Sequence, residues 1–80
     1  MYEKHQWIKT VCTIYAGPQK DTKSNWKAFP PGTKGEIRHI ELDKDVMTWY
    51  YLIRIPVPSV HGKDVYYWAK LNESTFEKHE

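Results

Sequence analysis

Met47-Thr48-Trp49-Tyr50-Tyr51-Leu52-Ile53-Arg54-Ile55 decides the fold. β-Branched and aromatic side chains fill this run at a two-residue period. Met47, Trp49, Tyr51, Ile53 and Ile55 fall on one phase, and Tyr50, Leu52 and Arg54 on the other. It reads as a strand that ends at Pro56 and Pro58, because proline has no N–H to give to a ladder.

Upstream, Asp43-Lys44-Asp45 is a polar turn, preceded by a strand from Lys34 to Leu42. The apolar phase of that strand slips between Ile37 and the pair Ile40/Leu42, which predicts a bulge near Arg38-His39. Pro30-Pro31-Gly32-Thr33-Lys34-Gly35 is a turn. Gly17 to Lys27 reads as a long polar loop, anchored only by Trp26, Ala28 and Phe29 around its end. Gln6 to Ala16 reads as one strand with Ile8, Cys12, Ile14 and Ala16 on the inward phase and Trp7, Val11 and Tyr15 on the other. Downstream, Val57 to Gly62 is a connection, and Lys63 to Lys70 is a strand with Val65, Tyr67 and Ala69 opposed to Tyr66 and Trp68. Asn72 is placed to cap a helical or 3-10 turn before Phe76-Glu77, with a short last strand as the alternative. No window holds a 3.6-residue apolar period, so the expected class is all-β, in one domain over residues 1–80 with its core at about 6–77.

Composition narrows the function classes. Eighty residues do not supply two cores. No apolar run approaches the roughly 18 residues of a spanning helix, and one Cys makes no disulfide within its own chain. Twelve Lys+Arg against 10 Asp+Glu, interleaved along the chain, give a net charge of +2, with neither a basic arm nor an acidic tail. Met1 to Gln6 lacks the apolar stretch of a signal peptide, so the cytoplasm is the expected compartment.

Gly32-Thr33-Lys34-Gly35-Glu36-Ile37, Trp49 to Ile55, Tyr66-Tyr67-Trp68-Ala69 and the closing Phe76-Glu77 together resemble the SH3-like small β-barrel pattern. The resemblance extends over about Trp7 to Glu77 and implies a closed barrel of about five strands with one short helical or 3-10 turn near its end. Proteins with this pattern include modules with the KOW motif, subunits of photosynthetic complexes, and small phage or prophage proteins. It implies a habit of binding rather than an activity. The stretch Thr13-Ile14-Tyr15-Ala16-Gly17 departs from the motif of proline-peptide-binding members.

No catalytic constellation stands out. Cys12, on the inward phase of its strand, is expected to be an inert buried thiol, and no paired carboxylates, nucleophile elbow or phosphate loop are present. His5, His39, His61 and His79 match no zinc spacing, so no metal or cofactor is expected. What remains is the outward aromatic set. Trp7, Tyr15, Trp26, Tyr50, Arg54, Tyr66 and Trp68 are the candidate partner-binding residues, of the types that dominate interface hot spots. The expected function is non-enzymatic: a small module, of phage or mobile-element type by the resemblance, that inhibits or accompanies a larger protein by covering part of its surface. A barrel binding single-stranded nucleic acid is the alternative, because rings flanked by Lys9, Arg54 and Lys70 are suited to stacking bases.

Overall fold

The computed structural model describes residues 2–18 and 25–79. Among these residues seven strands run as β1 (Trp7–Thr10), β2 (Ile14–Ala16), β3 (Lys27–Phe29), β4 (Lys34–Asp43), β5 (Thr48–Pro58), β6 (Asp64–Leu71) and β7 (Phe76–Lys78). A 3-10 turn, Glu73–Thr75, precedes β7, and the Asn72 side chain caps it by accepting from the Ser74 N–H. All ladders are antiparallel, in a five-stranded sheet of order β6-β5-β4-β1-β7 and a two-stranded sheet of β2 and β3. The all-β class is as the periodicities predict. The described ladders form two sheets rather than a closed ring, joined by one bridge. Gly17 N–H donates to the Trp68 carbonyl at 3.0 Å and Trp68 N–H to the Gly17 carbonyl at 2.7 Å.

The core lies between the sheets. Ile8, Ile37, Ile53 and Ile55 from the large sheet meet Ile14, Ala16 and Phe29 from the small one. Each fully buried isoleucine contributes about 1.5–3 kcal/mol by leaving water. Tyr51 is sealed under the 3-10 turn, edge-on to Phe76 (centroids 5.3 Å) and Tyr2 (5.9 Å). Among the described residues its hydroxyl has no hydrogen-bond partner, and burial, with the Glu73 carboxylate adding, pushes its pKa up.

The expected bulge is present: register shifts between Ile37 and His39. Gln6 to Ala16 is not one strand. β1 ends at Thr10, and the chain bends through Val11 to Thr13 into the second sheet, which leaves Cys12 exposed rather than buried. A two-residue phase does not survive such a bend. Residues 27–29 of the expected loop form β3, while its residues 19–24 lie outside the described residues. Met47 stands in the turn before β5 at φ 51 instead of starting the strand. Pro56 and Pro58 do not end β5. They pair opposite Tyr66 and Asp64, beyond the last β4–β5 pair, Glu36–Arg54, where no donor is required of them.

Thr10 organises the crossing between sheets. It is buried, and every polar group it carries is engaged. Its N–H donates to Thr33 O (2.8 Å) and its carbonyl accepts from Gly32 N–H (2.7 Å). Its hydroxyl donates to Pro30 O (3.2 Å) and accepts from Thr33 N–H (3.1 Å). Gly32 takes φ 90 in this turn, the left-handed region that glycine occupies without cost from a Cβ. Next along β4, Gly35 lies opposite Ile8, and a Cβ there would run into the Ile53 side chain and lie 3.2 Å from the Arg54 carbonyl.

Two stability predictions follow from these contacts, both read by chemical denaturation. Thr10→Val leaves the Thr33 N–H and a Pro30 lone pair unsatisfied and costs about 1–3 kcal/mol, while Thr10→Ser retains most of it. Gly35→Ala overpacks the β4–β5 contact and costs about 1–3 kcal/mol.

Candidate functional site on the outer sheet face

Residues directly opposite one another in neighbouring strands project to the same face. The registers therefore align one row across the large sheet: Trp7 on β1, Glu36 on β4, Arg54 on β5 and Trp68 on β6, with Gly17 bridged to Trp68 beyond. Three strand spacings set Trp7 and Trp68 about 14 Å apart. Ile8, Ile37, Ile53 and Ala69, one residue along on each strand, are buried, so the row faces outward.

Charge fills the space between the two indoles. Arg54 Nη2 donates to Glu36 Oε1 at 2.9 Å and Arg38 Nη1 to Glu36 Oε2 at 3.3 Å, while His5 Nδ1 lies 3.1 Å from the same Oε2. The Glu36 side chain retains 13% of its exposure. Burial by itself would raise its pKa. The hydrogen bonds from His5 and Arg54 and the charges of Arg38 and Arg54 outweigh that and hold the carboxyl below its ordinary value of 4.5. The other side of Arg54 is a ring: its guanidinium carbon stands 4.4 Å from the Tyr66 centroid. Further along the face Lys70 Nζ donates to Glu41 Oε1 at 2.6 Å and stands 5.5 Å from the Tyr50 centroid. That hydrogen bond lowers the Glu41 pKa and raises that of Lys70. Lys9 pairs with Glu77 at 3.4 Å.

Of the seven residues marked in the sequence, Trp7, Tyr50, Arg54, Tyr66 and Trp68 stand on this face of the large sheet, while Tyr15 is on β2 and Trp26 directly precedes β3. Trp7, Tyr15, Trp26 and Tyr66 are exposed, and Tyr50, Arg54 and Trp68 are half-buried. Trp7, Arg54, Tyr66 and Trp68 share one row and its margin. Tyr50 stands four residues from Arg54 on β5, opposite Glu41. Tyr15 is on the second sheet opposite Ala28, facing away from buried Ile14 and Ala16. Continuing the β2–β3 register by one pair sets Trp26 opposite Gly17, which is itself bridged to Trp68. The sequence reading missed Glu36, Arg38 and His5. Glu36 and Arg54 are 18 residues apart and meet only through the β4–β5 register, and His5 approaches from a turn at φ 74.

No group of three or more His, Cys, Asp or Glu among the described residues is placed to hold a metal ion. No helix among them is long and apolar enough to cross a membrane. Comparison with protein-family models, with curated proteins and with solved structures finds no match.

The lowered carboxyl sets a pH dependence. The unfolded chain binds a proton to Glu36 at a higher pH than the folded protein does, so ionised Glu36 stabilises the fold above about pH 4.5, and that contribution is lost as pH falls through the folded value. Glu36→Gln is expected to lose about 1–2 kcal/mol at neutral pH. In denaturation at a series of pH values, the gap between the two proteins narrows steadily below about pH 4.5.

Proposed function

We propose that the protein is a non-enzymatic module that binds a protein partner through the outer face of its large sheet. The observation that carries this reading is the row Trp7, Glu36, Arg54 and Trp68 with Tyr66 stacked on the guanidinium. Its rings and arginine are the residue types on which interface energy concentrates. They stand on paired strands, so they lose little conformational freedom on binding. The mode of action is occlusion: a small rigid face laid over a functional surface of a larger protein. The SH3-like resemblance of the glycine turn and the strands after it supports an accessory or inhibitor role of the phage or mobile-element kind, acting in the host cytoplasm.

Single-stranded nucleic acid is the second reading, supported by cation–ring contacts on this face, Arg54 on Tyr66 and Lys70 on Tyr50. The charge pairing weighs against it. Glu36 holds Arg38 and Arg54, Glu41 holds Lys70 and Glu77 holds Lys9, so each of these cations already has a carboxylate where a phosphate would sit. Fluorescence anisotropy with labelled oligonucleotides separates the two. The protein-binding reading expects no binding to single strands at about 50 mM salt. Binding that falls steeply by about 200 mM establishes the nucleic-acid reading instead. For the partner recovered by affinity capture from the native host, Trp7→Ala and Tyr66→Ala are each expected to weaken binding at least about tenfold with the fold intact.

A further inference from the structure

The β5–β6 ladder continues beyond the last β4–β5 pair. The β4–β5 ladder begins at the pair Glu36–Arg54, whereas β5 and β6 stay paired out to Pro58 and Asp64. The two edges of this continuation differ. On β5, Pro56 and Pro58 carry no N–H, which blunts that edge against pairing. On β6, Trp68 exchanges both of its main-chain hydrogen bonds with Gly17, so its polar groups point away from β5. By the two-residue period the main-chain groups of Tyr66 and Asp64 point the same way. The prolines opposite them fit this phase, since a position whose polar groups face outward takes nothing from its neighbour. Among the described residues no main-chain group pairs with the outward N–H and C=O of Asp64 or Tyr66. Val65 and Tyr66 beside them are 45% and 39% exposed.

We propose that this edge of β6 pairs antiparallel with the same edge of a second copy of the chain, about a twofold axis at Val65. Asp64 of each copy then lies opposite Tyr66 of the other, and all the outward groups at these positions are satisfied. Electrostatics selects this occupant. Asp64 has no ion pair among the described residues, while Arg54 shares its single carboxylate with Arg38 and lies on the Tyr66 ring. The twofold brings the Asp64 carboxylate of the second copy beside that ring and its guanidinium, and does so twice.

Other registers fail. A shift toward the turn sets Asp64 against Asp64, like charges directly opposed. A shift the other way needs the Trp68 groups that Gly17 already occupies. Because the axis is normal to the sheet, both rows of Trp7, Arg54 and Trp68 come to lie on one side of the dimer. The contact is short, which places association in the weak range.

Sedimentation equilibrium of the full chain tests this. The weight-average mass is expected to rise from 9.6 kDa toward twice that value between about 10 μM and about 1 mM. Amide exchange at Asp64 and Tyr66 slows over the same range, while Val65, bonded to β5, is protected throughout. Asp64→Pro removes an outward donor that β5 does not use, and abolishes association. Asp64→Lys, which keeps the main chain intact, weakens it at least tenfold and decides the matter if circular dichroism shows the proline variant unfolded. A chain that stays monomeric to about 1 mM overturns the proposal. So does a dimer or larger assembly whose affinity neither folded variant changes.

Discussion

The hydrogen bonds of Thr10 are the constraint on which the two-sheet arrangement depends. A chain that leaves one sheet to enter another must satisfy its main-chain groups at the crossing, where neither ladder supplies partners. Here β1 ends at a residue whose N–H, carbonyl and hydroxyl are all bound by Pro30, Gly32 and Thr33, the turn between β3 and β4. The next N–H, of Val11, is taken by the Thr75 carbonyl of the 3-10 turn. One point therefore fixes the end of β1, the start of β4 and the approach to β7. From it follow the seating of Gly35 against Ile53 and the register that carries Glu36 to Arg54.

That register matters because the molecule has more rings than interior. Of twelve Trp, Tyr and Phe residues, only Phe29, Tyr51 and Phe76 are buried. The rest cannot be accommodated in a core built of isoleucines on short strands, and several collect on the outer face. There they are not interchangeable decoration. The Trp7 and Trp68 indoles bracket a carboxylate held by two guanidiniums, and such pairs fix side chains that would otherwise sample many rotamers.

Much of the architecture is legible in the sequence because it is written at a period of two. The strands at Lys34, Thr48 and Asp64, the bulge after Ile37 and the Asn72 cap each rest on local chemistry: alternation, a slipped phase, a side-chain acceptor two residues before an N–H. What was not legible depends on long-range pairing. Nothing local marks the bend at Val11 to Thr13, since no Gly or Pro stands there and the turn is imposed by Thr10 and Thr75. Continuing the alternation through it placed Cys12 inside. Lys27 and Ala28 are poor strand formers, and β3 exists because Phe29 is drawn into the core opposite Ile14. The aromatic members of the outer face were visible as a second phase, whereas the ion cluster between them was not.

Pro56 and Pro58 show why the identity of a residue is not enough to place it. A proline forbids donation, and from that alone a strand break follows. Whether a break is needed depends on which neighbour the N–H would have faced. Both prolines are in the phase that points away from β6, toward a side where the β4–β5 ladder has already ended, so the β5–β6 ladder loses nothing by them. The same alternation that hides their missing donors leaves those of Tyr66 and Asp64 presented on the far side of the hairpin. One strand pair thus carries an edge closed by chemistry and an edge with no main-chain partner among the described residues. That asymmetry arises from the placement of two residues in one phase of one strand, and it gives the hairpin a direction in which further strands can add.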